Sequence, residues 1–217
     1  MPERQIISLN IGRPAVLVRH GRQYSTAMNR KPADGPVLLT GTGFEGDRVS
    51  DSQAHGGPDR AACCYPIEHY DHWRGRLDAE MPVPSFGENL TTRGLFEDEI
   101  CIGDILAMGG AVVTISSPRQ PCAKLALKHD QPSLPAWINE TGFCGFYVGV
   151  VQEGSIATGD GVRLVERPHA GMTVALAARL RVATRPDPAL IEQFVQETPL
   201  SQSFRASLLA RVDESEP

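Results

Sequence analysis

Short runs of apolar or alternating residues, separated by Gly, Pro, Asp and Asn, fill most of the chain up to residue 168. These runs cover residues 5–11, 14–20, 37–40, 99–108, 111–116, 145–152 and 161–166. Such lengths, with turn residues at both ends, are typical of β-strands. The paired glycines Gly109 and Gly110 favour a tight hairpin, and residues 153–155 predict a second one. The pattern predicts a mainly β, barrel-like domain.

Two segments within this region have helical spacing instead. In residues 66–77, His69, Tyr70, Trp73 and Leu77 recur at that spacing, and Pro66 stands at the start. Residues 133–141 form the other segment, and Gly142 is placed to end that helix. We therefore expect a few short helices among the strands.

The end of the chain has helical spacing throughout. Three short helices are predicted, beginning near Thr173, Asp187 and Ser201. The change in pattern at Pro168 predicts two parts. Residues 1–168 would form the β-barrel-like domain, and residues 169–213 a small C-terminal three-helix domain.

Composition and charge narrow the class of protein. The chain has 217 residues, of which 41% are apolar, enough for a sizeable core. Its formal net charge of −5 comes from 26 acidic and 21 basic residues spread along the chain, which argues against nucleic acid as a partner. No apolar run approaches the roughly 18 residues of a membrane span, and the N-terminus lacks a signal segment. We expect a cytoplasmic protein without a membrane partner.

Five cysteines are present, and they form no C-x-x-C pair and no zinc-finger spacing: Cys63, Cys64, Cys101, Cys122 and Cys144. Cys122 differs from the others because it follows a proline-stiffened turn between Arg119 and Lys124. A neighbouring cation favours the thiolate, which attacks electrophiles and binds soft metals. The alternative is a small apolar residue at the start of a helix.

A glycine-containing segment, His55-Gly56-Gly57-Pro58-Asp59-Arg60, is a second candidate for binding. The glycines allow a ligand to approach the backbone closely, and Arg60 adds positive charge for an anion. The alternative is an ordinary turn with a surface histidine. Asp47, Asp51 and His55 do not fit a metal-ligand spacing.

Residues 41–46 match the G-x-G-x-x-G pattern of dinucleotide-binding proteins. That pattern requires a helix to begin at the glycines, but residues 47–52 are polar and aperiodic. We interpret the glycines as turn residues. Neither a P-loop nor the G-x-S-x-G elbow of hydrolases occurs.

The segment Phe86-Gly87-Glu88-Asn89 offers a carboxylate and an amide beside a loop glycine. These groups recognise the hydrogen-bonding edge of a heterocycle. The alternative is that Asn89 only satisfies its own turn.

Five motifs in consistent order resemble the MOSC family, named for the C-terminal domain of molybdenum cofactor sulfurase. They are His55-Gly56-Gly57-Pro58-Asp59-Arg60-Ala61, Tyr65-Pro66-x-Glu68-His69-Tyr70, Phe86-Gly87-Glu88-Asn89-Leu90, Ile102-Gly103-Asp104 and Pro118-Arg119-Gln120-Pro121-Cys122-x-Lys124-Leu125. The resemblance spans residues 4–167, and residues 200–205 resemble the C-terminal extension of stand-alone YiiM-type members. One departure is Cys64, where the family pattern often has histidine. Cys63 and Cys64 lie at the start of the segment predicted to be helical, and we interpret them as core residues.

The resemblance implies a barrel-like fold that binds the molybdenum cofactor, with Cys122 as the metal ligand or as a persulfide carrier. It implies that Cys122 and His55 are catalytic. The cofactor-binding residues would be Gly56, Gly57, Arg60, Asn89, Arg119 and Lys124. YiiM-type members are associated with the reduction of N-hydroxylated bases and amines such as 6-hydroxylaminopurine. An external electron-donor protein is then required, because no iron–sulfur, flavin or nicotinamide motif is present.

Two alternatives to an enzyme stay open at this point. The chain is either a non-catalytic carrier of molybdenum cofactor or of sulfur as a Cys122 persulfide, or a binding module in which the thiol is incidental. Larger sulfurases contain a pyridoxal-phosphate domain, for which this chain is too short, so we expect no pyridoxal phosphate. The three helices pack either on their own barrel or on a second copy in a homodimer.

Overall fold

The computed structural model describes residues 4–50 and 57–213. The strands in these ranges are β1 (Gln5–Ile11), β2 (Ala15–Arg19), β3 (Arg22–Thr26), β4 (Lys31–Pro32), β5 (Val37–Thr40), β6 (Gly43–Phe44), β7 (Ala62–Pro66), β8 (Leu90–Arg93), β9 (Ile105–Met108), β10 (Ala111–Pro118), β11 (Phe146–Gln152), β12 (Gly154–Ile156) and β13 (Val162–Glu166). The α-helices are α1 (His69–Leu77), α2 (Ala123–Lys128), α3 (Leu134–Thr141), α4 (Val174–Val182), α5 (Pro188–Glu197) and α6 (Gln202–Asp213). None of these helices is long and apolar enough to cross a membrane.

Eight strands form one curled sheet in the order β13-β9-β10-β11-β7-β8-β1-β4. Its pairings are antiparallel except for β7 with β8, which run parallel. At the far ends of the sheet, Ile6 N donates to Asp160 O at 2.9 Å and Val162 N donates to Arg4 O at 2.8 Å. These bonds bring β1 against the start of β13 through an isolated bridge rather than a full ladder. The predicted mainly β, barrel-like fold is therefore confirmed, although the described strands do not close into a complete barrel.

Most predicted strands are present, and two details differ. The run over residues 99–108 is a strand only at Ile105–Met108, because Cys101 N donates to the Asp104 carboxylate in the turn that precedes it. The turn at residues 153–155 does not form a hairpin with β11, since β12 pairs with β5. The glycine hairpin between β9 and β10 forms as predicted.

Strand β7 was not expected, because its residues were interpreted as the start of a helix. Cys63 and Cys64 lie in this strand, and α1 begins only at His69. All five residues of β7 are buried. A strand buried on both faces lacks the alternation that identifies a strand in the sequence. The prediction that both cysteines belong to the core is correct, but their secondary structure was predicted wrongly.

The three C-terminal helices begin where their caps predict. Thr173 Oγ1 accepts a hydrogen bond from Leu176 N, and Asp187 Oδ1 accepts one from Ala189 N. The helices bury Ala177, Phe194 and other apolar residues in the same hydrophobic cluster as the sheet. They thus pack on their own β-sheet, while the division near residue 168 stays a prediction.

Candidate functional site

A cavity of about 850 Å³ lies beside the middle of the sheet. Six of the residues predicted to form the site line this one cavity: Gly57, Arg60, Asn89, Arg119, Cys122 and Lys124. Two further predicted residues, His55 and Gly56, lie outside the described residues. The cavity therefore brings together predicted residues that are up to 67 positions apart, from residue 57 to residue 124.

Strand register explains how these residues meet. On the sheet, Cys63 of β7 pairs with Tyr147 of β11, and Tyr147 pairs with Ser117 of β10. Cys63 and Tyr147 both line the cavity. Strand β10 then ends at Pro118, and the chain continues directly into the loop that carries Arg119 and Cys122. The thiol of Cys122 thus lies at the cavity because its loop directly follows the end of β10.

Cys122 is the most accessible thiol of the chain. It is half-buried and lines the cavity, whereas the other four cysteines are buried. Its backbone is extended, and it immediately precedes α2. A thiol that opens onto a cavity is able to meet an electrophile or a soft metal.

Positive charge dominates the cavity wall. Five basic residues line it, namely Arg30, Arg48, Arg60, Arg119 and Lys124, against the two carboxylates of Glu45 and Asp47. One carboxylate is already neutralised, since Arg30 and Asp47 form an ion pair at 2.7 Å. The remaining excess of cations favours an anionic ligand.

Arg119 is a buried basic residue of the cavity wall whose guanidinium has no partner in the part of the chain that the structure describes. It is 7% exposed, and its guanidinium makes no hydrogen bond or ion pair with any described residue. Burial acts to lower its pKa, but the acidic groups of Cys63, Tyr147 and Cys122 outweigh that effect and raise the pKa. A buried charge without a partner is costly, so this guanidinium is available to an anion that enters the cavity.

Burial opposes the ionisation of two acidic groups beside Arg119. Burial raises the pKa of the Cys63 thiol, although Arg119 and Arg30 oppose the shift. Burial and then Cys63 raise the pKa of Tyr147 to about 12. The Arg60 guanidinium carbon lies 5.3 Å from the centre of the Tyr147 ring, within range of a cation–π interaction.

Asn89 lines the cavity, but its amide is used within the protein. Oδ1 accepts a hydrogen bond from Cys63 N at 3.1 Å, and Nδ2 donates to Asp47 Oδ2 at 3.0 Å. The same amide nitrogen donates to Asn10 O at 3.3 Å. Asn89 therefore holds β7 and the cavity wall in place.

Lys124 and Gly57 also line the cavity. The ammonium group of Lys124 has an uncharged partner, since Nζ donates a hydrogen bond to Ser50 Oγ at 2.8 Å. Gly57 has a φ of 109°, a conformation that other residues rarely adopt. It immediately precedes the 3₁₀ turn Pro58–Arg60, which presents Arg60 to the cavity.

Some residues of the site were not identified from the sequence. Arg30, Asp47 and Tyr147 line the cavity, and so does part of the glycine segment at residues 41–46. That segment comprises the turn after β5, strand β6 and the turn that follows it, and no helix begins at its glycines, so the rejection of a dinucleotide-binding loop is consistent with the structure. Its interpretation as an incidental turn missed its contact with the cavity.

The described side chains do not form a multidentate metal centre in this cavity. Among residues 4–50 and 57–213, no group of three or more His, Cys, Asp and Glu side chains is arranged to hold a metal ion.

Comparison with known proteins places the chain in a family. The MOSC domain model matches residues 51–163. Protein YflK of Bacillus subtilis is 39% identical over 98% of this chain and 96% of its own length. Protein YiiM of Escherichia coli is 35% identical over 86% of this chain and 84% of its own length.

Two further similarities concern activity and fold. A Gibberella moniliformis protein named "Reductase" is 35% identical over 74% of this chain, which corresponds to 29% of that larger protein. The crystal structure of YiiM from Geobacillus stearothermophilus superimposes with a TM-score of 0.82 at 36% identity, covering 96% of this chain and 99% of that one. With the ordered motifs, three of which contribute residues to the cavity, these matches show that the chain belongs to the MOSC domain family and has the YiiM-like fold.

Proposed function

We propose that the cavity binds the molybdenum cofactor and that the protein reduces N-hydroxylated bases or amines. The observation that carries this proposal is that an accessible thiol, Cys122, and the buried guanidinium of Arg119, which has no partner among the described side chains, line one cationic cavity. Membership of the MOSC family and the similarity to a protein named "Reductase" support it.

The residues of the cavity fit the chemical groups of this cofactor. The cofactor is an anionic pterin dithiolene, and its phosphate and pterin would be held by Arg60, Arg119 and Lys124. Cys122 would supply a protein ligand to molybdenum, since a thiolate binds soft metals. A cavity of about 850 Å³ is within the range of sites for ligands of this size. When bound, the cofactor would supply the two-electron chemistry.

The protein's own residues would bind and orient the reactants. Reduction of an N–OH group takes up two electrons and two protons, breaks the N–O bond and leaves an N–H group and water. We infer that the electrons come from a separate donor protein in a reducing, cytoplasmic setting. The basic residues of the cavity wall would bind the anionic groups of the cofactor, and the substrate would enter beside Cys122.

Metal content and turnover together test this proposal. Wild-type protein produced in a host that makes the cofactor should contain molybdenum, and it should reduce 6-hydroxylaminopurine with an artificial reductant. Cys122→Ser should lose both properties while its melting temperature is unchanged, because the half-buried side chain keeps its size. Protein from a host unable to make the cofactor provides the control.

The same preparations distinguish the alternatives. A persulfide on Cys122 without bound molybdenum would indicate a sulfur carrier. Molybdenum content and turnover that survive Cys122→Ser would show that the thiol is incidental, and the proposal would be wrong.

A further inference from the structure

Helix α6 contacts the two loops that carry the ligand-facing residues of the cavity. Ser203 Oγ accepts a hydrogen bond from Arg60 Nη2. Ser207 Oγ accepts one from Gln120 Nε2 at 3.3 Å while it donates to Phe204 O at 2.7 Å. Residues four positions apart lie on the same face of a helix. One face of α6 thus holds both loops.

The two loops are separate parts of the proposed ligand site. Arg60 ends the 3₁₀ turn beside the cavity, and Gln120 lies two residues before Cys122. Both Arg60 and Gln120 line the cavity. The helix therefore links the guanidinium to the loop that carries the thiol.

The start of α6 is itself fixed to the sheet. Gln202 N donates to Asp59 Oδ2 at 3.1 Å, and Ser201 N donates to Ser116 O at 2.9 Å. Ser116 Oγ in turn donates to Asp59 O at 2.5 Å. The buried residues Phe204 and Leu208 anchor the helix in the core. Packing and backbone bonds thus set the position of the two serines.

We propose that Ser203 and Ser207 are positioning residues that set the separation between the Arg60 guanidinium and the Cys122 loop. The C-terminal extension, which lies outside the matched MOSC segment of residues 51–163, would then complete the ligand site. An arginine side chain that is already ordered loses less conformational entropy when its anion binds. The inference rests on the proposed function, since it requires Arg60 and Cys122 to hold the same ligand.

The test measures how fast molybdenum leaves the holoprotein during timed dialysis. Ser203→Ala and Ser207→Ala should each accelerate the loss about three- to tenfold, since each removes one hydrogen bond to a ligand-facing side chain. Their melting temperatures should not fall, because alanine is the better helix former. Ser203→Thr keeps the hydroxyl at an exposed position and should restore slow release. Gln202→Ala is the matched control, since that exposed side chain makes no hydrogen bond with the described residues.

Arg60→Met separates the failure of this inference from that of the proposed function. If Arg60→Met accelerates release but Ser203→Ala and Ser207→Ala match Gln202→Ala, the positioning role is wrong and the proposed function stands. If wild-type protein holds no molybdenum, the proposed function is wrong and the inference fails with it. If wild-type protein holds molybdenum but Arg60→Met has no effect on its release, the role of Arg60 is wrong, and the inference fails while the proposed function stands. Faster release in Ser203→Ala and Ser207→Ala, with slow release kept in Ser203→Thr, would support the inference.

Discussion

Arg30 and Asp47 form a bidentate ion pair in the wall of the cavity. Arg30 Nε lies 2.9 Å from Asp47 Oδ1, and Nη2 lies 2.7 Å from Oδ2, with the two side chains only 8% and 9% exposed. Asp47 also accepts hydrogen bonds from Gly12 N and Asn89 Nδ2. Arg30 Nη1 donates to Gly87 O at 2.5 Å. The pair therefore joins four separate segments behind the ligand site.

Asp47→Asn is expected to lower the free energy of unfolding by about 3–5 kcal/mol, because it leaves the buried Arg30 without a negative partner. Urea unfolding measures this loss. Asp71→Asn is the matched control, since the pair of Asp71 with Arg74 is exposed and should contribute less than about 1 kcal/mol. Equal losses in the two variants would contradict the prediction.

Thiol labelling should distinguish Cys122 from the other cysteines. Burial raises the pKa of Cys63, Cys64 and Cys144, and Cys101 is only 2% exposed. Under native conditions, iodoacetamide should therefore modify one thiol of the five rapidly, identified as Cys122 by peptide mass spectrometry. The rapid phase should be absent in Cys122→Ser. Rapid modification of Cys63 instead would contradict the burial described here.

The secondary structure could be predicted from the sequence where the cause is local. Thr173 and Asp187 cap their helices through bonds to residues two or three positions away, and Gly142 ends α3 in the left-handed conformation. Strand β7 could not be predicted in this way. Its burial on both faces is produced by neighbours in the folded sheet, which a local pattern does not contain.

The site was partly predictable for the same reason. Arg119, Cys122 and Lys124 lie within six positions and were identified together from the motif. Tyr147 lies in a run that predicts only a strand, and its place in the cavity depends on pairing with Cys63 and Ser117. The Arg30–Asp47 pair likewise depends on tertiary contacts. Residues that meet through sheet register leave no spacing to detect in the sequence.

Alkaline titration should show that most tyrosines resist ionisation in the folded protein. Burial raises the pKa of Tyr65 and Tyr70 strongly and that of Tyr147 to about 12. The native protein, which has four tyrosines, should therefore show less than half of the tyrosinate absorbance of the unfolded protein at pH 11. These tyrosines lose their protons near pH 10 in the unfolded state but only at higher pH in the folded state. Above pH 10 the unfolded state therefore binds fewer protons, and the free energy of unfolding falls as the pH rises.

Tyr147→Phe tests the contribution of the cavity tyrosine. The variant should lose the part of the tyrosinate absorbance that appears near pH 12 and leave the remainder unchanged. Its stability should also fall less steeply than that of the wild type above pH 10. An unchanged absorbance curve near pH 12 would show that Tyr147 does not titrate there.

Lys128 should have the opposite effect on stability at alkaline pH. Its Nζ donates to Met28 O at 2.9 Å and to Pro84 O at 3.0 Å, and burial lowers its pKa to about 8, with Arg119 and Arg30 adding to the shift against the opposing effect of Glu88. An unfolded lysine titrates near 10.4, so between pH 8 and that value the unfolded state binds more protons than the folded state. The contribution of this residue to stability therefore rises with pH in that window.

Comparison with Lys128→Met isolates the effect, because the other titrating groups are shared by both proteins. The free energy of unfolding of the wild type minus that of the variant should increase by about 2 kcal/mol from pH 8 to pH 10. Below pH 7 the difference should be constant, since Lys128 is then charged in both the folded and the unfolded state. A difference that stays flat from pH 8 to pH 10 would mean that the ammonium group is solvated in the folded protein, in conflict with its position beneath Met28 and Pro84.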